Sequence, residues 1–229
     1  VLIASAETAA PIRIPKLDAL QDRRVYRVQA ALNEGGGFGA TATIVDYGNR
    51  GDELAYQSQN TGDNEEIDAI RKRLAAHLGT VHISDFKVLP GSDSTVTTLT
   101  IGSDSYLTSS GESFLLRLDP IHSEATTRLR DKPRQSEIEL GDHGRIETEV
   151  TWRLGHFRFV GVAPDTLADS CRVASAYGTL EPGDSVVIFK SVVSYGGDLL
   201  RPNEYNTARG FQQTLEKIRS AKITLRRKD

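Results

Sequence analysis

The stretch Arg145-Ile146-Glu147-Thr148-Glu149-Val150-Thr151-Trp152-Arg153-Leu154 alternates from end to end. Ile146, Thr148, Val150, Trp152 and Leu154 fall on one side; Glu147, Glu149, Thr151 and Arg153 fall on the other. A period of two, with β-branched and aromatic residues on the apolar side, marks a strand with one buried face. Trp152 is therefore assigned to the core.

Working downstream, strand-like runs follow at Phe157 to Val162, Arg172 to Tyr177 and Asp184 to Tyr195, with Glu181-Pro182-Gly183-Asp184 as a turn. Upstream, Val81 to Leu89, Thr95 to Ile101 and Ser113 to Ile121 are rich in Thr and Val and separated by Gly- and Ser-containing turns. Earlier still, Tyr26, Val28, Ala30 and Leu32 share one face, as do Phe38, Ala40, Ala42 and Ile44. The turn Asn33-Glu34-Gly35-Gly36-Gly37 joins these two runs into a hairpin.

Two segments carry the helical period instead. Asp63 and Glu66 form a capping-box-like start to Ile67, Ile70, Leu74 and Leu78, with Gly79 as the stop. Arg71, Lys72 and Arg73 on its other side read as a solvated face. After Pro202, the residues Tyr205, Ala208, Phe211, Leu215 and Ile218 form a second stripe, followed by a short strand through Ile223 and Leu225. The expected fold is mainly β, an antiparallel β-sandwich with two amphipathic helices at about 63–78 and 203–221. Residues 1–15, with Pro11 and Pro15, read as an extended connector. The charged segment 124–133 divides the remainder into a β-rich subdomain with one helix, 16–123, and a β-sandwich subdomain, 124–229.

Composition narrows the function classes. Hydrophobic residues make up 38% of the chain and charged residues 26%, which suits a folded domain. Net charge is −3 with acids and bases intermixed, so no basic stripe for nucleic acid is evident. Lys222, Arg226, Arg227 and Lys228 near the C-terminus read as a solvated end. No run approaches the ~20 apolar residues that cross a bilayer. The chain contains no methionine, so it is expected to be a piece of something longer.

The residues with reactive side chains do not assemble into a known pattern. His77, His82, His122, His143 and His156 lack the i, i+4 spacing of a helical metal pair. His143 and His156 could meet across a hairpin, but a ligand set needs a third member. Cys171, the sole cysteine, has no histidine after it, which removes the familiar Cys, His, Asp order; it reads as a small core residue. Ser103, Ser109 and Ser110 lie in turn-like stretches outside any Gly-x-Ser-x-Gly. Gly35 to Gly39 lacks the Lys-Ser/Thr ending of a phosphate loop and reads as a flexible hairpin turn. Glu137, Glu139, Glu147 and Glu149 alternate on adjacent strands, either as a solvated face or as the lining of a cation or sugar groove. The acidic and hydroxyl residues at Pro90 to Ser94 and Gly102 to Ser105 do not match the EF-hand pattern. No catalytic, cofactor-binding or metal-binding residue is assigned.

One family shares the order of these features. Arg24-Val25-Tyr26-Arg27-Val28 is followed by Gly37-Phe38-Gly39-Ala40; Arg130-Asp131-Lys132-Pro133 precedes a sheet; Val192-Val193-Ser194-Tyr195 leads to Leu200-Arg201-Pro202-Asn203-Glu204-Tyr205, then Phe211 and Ala221-Lys222-Ile223-Thr224-Leu225. This resembles the β-rich region that follows the Cys-His-Asp core in bacterial transglutaminase-like proteins, across nearly the whole chain. The resemblance implies a non-catalytic accessory region that supports or positions an upstream transglutaminase-like core in the same chain and contacts protein or peptide substrate. It also implies a periplasmic or other extracytoplasmic location. No cofactor is expected. The family's nucleophile, base and orienting acid have no counterpart here and are expected upstream of Val1.

Two other readings stand beside it. An independent carbohydrate- or cell-surface-binding β-sandwich calls for Trp152 exposed beside Tyr177 or Tyr195, because sugar sites stack on exposed rings. An enzyme using a metal held by His143, His156 and the glutamates calls for those residues to converge.

Overall fold

The computed structural model describes residues 2–5, 8–13, 22–60, 81–121, 129, 136–138, 144–161, 166–196 and 199–228. The helix expected at 63–78 lies outside these residues. In chain order the elements are β1 (Leu2–Ser5), β2 (Thr8–Arg13), β3 (Arg23–Leu32), β4 (Phe38–Tyr47), α1 (Asn49–Asn60), β5 (His82–Pro90), β6 (Ser94–Ser103), β7 (Thr108–Ser110), β8 (Ser113–Arg117), β9 (Gly144–Arg153), β10 (Phe157–Phe159), β11 (Leu167–Cys171), β12 (Ala174–Pro182), β13 (Val186–Tyr195), α2 (Tyr205–Arg219) and β14 (Lys222–Arg227).

The alternating stretch quoted first is β9, and it occupies an inner position in an eight-stranded sheet ordered β11-β12-β13-β9-β3-β4-β6-β5. Its predicted inner residues Ile146, Val150, Trp152 and Leu154 are all buried. β13 pairs with it antiparallel on one side, while β3 pairs with it parallel on the other. A second sheet, β10-β14-β8-β7, covers part of the buried face. Such layers lie ~10 Å apart, a gap that interdigitating side chains fill. Trp152 crosses it: its indole N–H donates to the Leu118 carbonyl at 2.8 Å. Its ring stacks on Tyr106 and meets Phe38 edge-on, with centroids 5.4 and 5.5 Å away. The fold is thus mainly β and sandwich-like.

α2 covers the rest of that face. All five stripe residues read from the sequence, Tyr205, Ala208, Phe211, Leu215 and Ile218, are buried. Each large side chain of this kind contributes about 1.5–3 kcal/mol when buried. The helix fits closely because β12 carries Gly178 beneath it; a Cβ there would stand 2.8 Å from Ile218 Cγ2. Gln212 on α2 accepts from the Leu129 N–H, and Thr214 donates to Asp169 on β11.

Three expectations need revision. Residues 1–15 are not simply an extended connector, because β1 and β2 pair as a hairpin; both strands are edges, where Pro11 removes no central ladder bond. The glycine-rich turn is pinned as well as tight. Asn33 Oδ1 accepts from Gly37 N, Gly36 O accepts from Tyr106 N and Leu107 N, and a Cβ on Gly37 would lie 2.3 Å from the Ser103 carbonyl. Finally, a boundary at 124–133 cuts through shared structure: β3 pairs with β9 and β8 with β14, and one hydrophobic core draws on both sides.

Candidate functional site

The residues with chemical potential lie apart. His82 is exposed on edge strand β5, with Nε2 3.3 Å from Asp104. His156 is exposed in the β9–β10 turn, 2.9 Å from Glu34. His77, His122, His143 and Glu139 lie outside the described residues, as do Arg71, Lys72, Arg73 and Arg130 to Pro133. Glu137 is exposed beside the single bridge between Ile138 and Leu200, while Glu147 and Glu149 share the outer face of β9. Among the described residues, no three His, Cys, Asp or Glu side chains converge as metal ligands.

Cys171 ends β11 half-buried, packed against the core. Ser103 is buried and donates to the Ser105 carbonyl, whereas Ser109 and Ser110 lie exposed on β7. Gly91 N donates to Ser94 O, which closes the loop at 90–94 as an ordinary turn. The aromatic trio weighed for a sugar platform is split: Trp152 and Tyr195 are buried, and only Tyr177 is exposed, at 44%.

Two polar clefts are built by the fold. The first lies at one end of the large sheet, about 440 Å³, lined by Asp22, Arg24, Asn49, Arg50, Glu53 and Gln57. Around it charges answer one another. Arg24 pairs with the buried Asp46, Arg145 with Glu147 at 2.8 Å, and Arg23 lies 4.4 Å over the Tyr47 ring. α1 packs at this end through Gly51, whose absent side chain lets the helix backbone approach the Asp46 carbonyl; Thr95 Oγ1 donates to Gly51 O at 2.7 Å. This network ties the start of β3 to β4 and, with Arg50 3.9 Å from Asp22, to α1.

The second cleft, about 370 Å³, opens beside the small sheet between Ser105, Tyr106, Thr108, Leu115, Arg117, Ser220 and Lys222. Burial, with the negative charge of Asp119, raises the Tyr106 phenol far above its ordinary pKa. The hydroxyl is therefore neutral and donates to the Arg117 carbonyl at 3.0 Å. Among the described residues, hydroxyls and the cations Arg117 and Lys222 line this cleft, with the Asp119 charge near Tyr106.

A third polar cluster explains part of the tail motif. Arg172, in the β11–β12 turn, grips Glu204 with Nε and Nη2 at 2.6 and 3.0 Å, and Nη2 also reaches the Leu199 carbonyl. The Arg201 N–H donates to the same carboxylate at 2.9 Å. These bonds hold the Glu204 pKa down to about 2. Pro202 opens a 3₁₀ turn, Glu204 closes it, and the buried Tyr205 begins α2. Sequence reasoning singled out Pro202-Asn203-Glu204-Tyr205 as a motif, but the distant partner Arg172 carries no local signal.

No family model matches the chain, no curated protein matches it, and no solved structure matches it.

Proposed function

We propose that this chain is a non-catalytic accessory β-sandwich of a transglutaminase-like protein, working outside the cytoplasm beside an upstream Cys-His-Asp core and its protein substrate. The observation that carries this reading is what the family-like residues do in the fold. Glu204 is held by Arg172 and by the Arg201 N–H in the turn that leads into α2; Tyr205 and Phe211 seat that helix on the large sheet. Ile223 and Leu225 of β14 fill the space between the sheets. Every one of them builds the scaffold. None is paired with the groups that acyl transfer needs, a nucleophile within hydrogen-bond reach of a base and an oxyanion donor set nearby.

The test is to assay the purified chain for amine incorporation into a glutamine-containing protein and for peptide hydrolysis. It should then be titrated with the protein segment encoded immediately upstream. The expected result is no turnover by the chain alone and saturable binding to that segment. Turnover by the chain alone, or an upstream segment without a Cys-His-Asp core, overturns the reading.

A further inference from the structure

The basic residues near the C-terminus are not a loose end. Lys222 to Arg227 form β14, an inner strand of the small sheet, and the register sets its cations against others from remote parts of the chain. Lys222 lies directly opposite Arg117 of β8, and Arg226 directly opposite Arg158 of β10. Ile223, Leu225, Leu116 and Phe157 point the other way and are buried, so both cation pairs stand on the outer face. Arg158, Lys222 and Arg226 are exposed.

Like charges directly opposite one another weaken a sheet. The outer face of the large sheet avoids this: Arg27 faces Glu149, Glu149 faces Lys190, and Lys190 bonds Glu181 at 2.8 Å. The small sheet sets cations opposite one another twice, with Arg117 already engaged within the fold and the other three on the outer face. Among the described residues, no carboxylate pairs with Arg158, Lys222 or Arg226. Between the two cation pairs lies the row Thr108, Leu115 and Thr224, with Leu115 half-buried. The polar cleft lined by Ser105, Tyr106, Thr108 and Lys222 opens at the Lys222 end of this face.

From this we infer that the outer face of the small sheet binds an extended acidic segment of a protein partner, with the pattern acid, x, apolar, x, acid. Lys222 and Arg226 are four residues apart, about 13 Å at ~3.3 Å per residue, and an extended peptide repeats its side chains with the same step. One carboxylate meets Lys222, the apolar residue meets Leu115, and the second carboxylate meets Arg226 and Arg158. Guanidinium groups suit carboxylates because their paired N–H donors match both oxygens. An uncharged row of two threonines and Leu115 between the cations fits a peptide better than a nucleic acid, whose phosphates would run unbroken past it. Among the described residues, this face offers no exposed ring on which bases could stack.

The experiment uses the whole chain and a fluorescein-labelled peptide containing Glu-Thr-Leu-Thr-Glu, read by anisotropy at low and moderate salt, with a Gln-Thr-Leu-Thr-Gln peptide as control. The Glu peptide should bind at least about tenfold more tightly than the Gln peptide, and salt should weaken it. Combining Lys222→Glu with Arg226→Glu should abolish binding, and a Lys-Thr-Leu-Thr-Lys peptide should restore it. If that double variant melts early, Lys222→Gln with Arg226→Gln carries the same test. Equal binding of the Glu and Gln peptides, indifference to charge reversal, or displacement by duplex DNA at lower concentration than by unlabelled Glu peptide overturns the inference. The inference deepens the partner-contacting role proposed above. Because the probe is synthetic, its failure leaves the turnover and upstream-segment results untouched, and the two readings fall separately.

Discussion

Replacing Trp152 with phenylalanine removes the one indole in the chain from the gap between the sheets. Three losses follow. The Leu118 carbonyl forfeits its 2.8 Å indole donor in a dry place, which costs ~1–2 kcal/mol. The smaller ring leaves ~40 Å³ empty, and at ~24 cal/mol per Å³ that is ~1 kcal/mol more. The stacked contact with Tyr106 and the edge contact with Phe38 both weaken, by ~0.5 kcal/mol or more. Trp152→Phe should therefore destabilise the chain by about 3 kcal/mol, a large share of a typical stability of about 5–15 kcal/mol. For a chain of this size the melting temperature falls by about 6–12 °C. Circular dichroism is the appropriate readout, since the variant has no tryptophan fluorescence. Tyr177→Phe, on an exposed ring, is the control and should change stability by less than about 0.5 kcal/mol. A Trp152→Phe loss below about 1 kcal/mol would show that the indole bond does not help to hold the two sheets together.

Three further outcomes are expected. Glu204 has a folded pKa of about 2, below its ordinary carboxylate value, so its contribution is present above that ordinary value and is lost as pH falls through about 2. Urea midpoints of wild type and Glu204→Gln should differ at neutral pH and converge as pH falls from about 5 towards 2; a constant gap contradicts the assignment. Gly178→Ala drives a methyl into Ile218 and should cost about 1–3 kcal/mol, whereas Gly210→Ala, in the same helix-docking region but facing open space, should gain up to about 1 kcal/mol. Thermal melts that give both changes the same sign refute the packing of α2. Asp46→Ala removes the buried carboxylate that pairs with the Arg24 guanidinium at the sheet end and should cost about 3 kcal/mol or more in urea unfolding; a neutral result means the pair contributes nothing.

Periodicity disclosed the elements that bury one clean face. β9, the β3–β4 hairpin and the α2 stripe were legible because each residue's side follows from its own neighbours. α1 was not, since Asn49 to Asn60 has no apolar stripe and docks through Gly51 and the Thr95 hydroxyl. β11 was missed because Asp169 and Ser170 interrupt its apolar residues, and Cys171 closes that strand where the sequence suggested the opening of the next. The parallel neighbour of β3 carries no local mark at all. The same holds for the candidate sites: Arg172 meets Glu204, and Arg117 and Arg158 meet β14, only through tertiary pairing. Lys222 and Arg226 alone look like a charged end.

The parallel pairing of β3 with β9 also governs the order in which the chain can assemble. Gln29 and Thr151 are register partners 122 residues apart. During synthesis β3 and β4 emerge and pair early, but the other edge of β3 stays open until β9 has been made. Parallel pairing of this span carries a high loop-closure cost, which places the fold among slow, high-contact-order topologies. Until it closes, the unpaired edge of β3, with its apolar inner face, is the surface most exposed to capture by another nascent strand. A ribosome pause before β9 has emerged would prolong that exposure, and a pause after it has emerged would not.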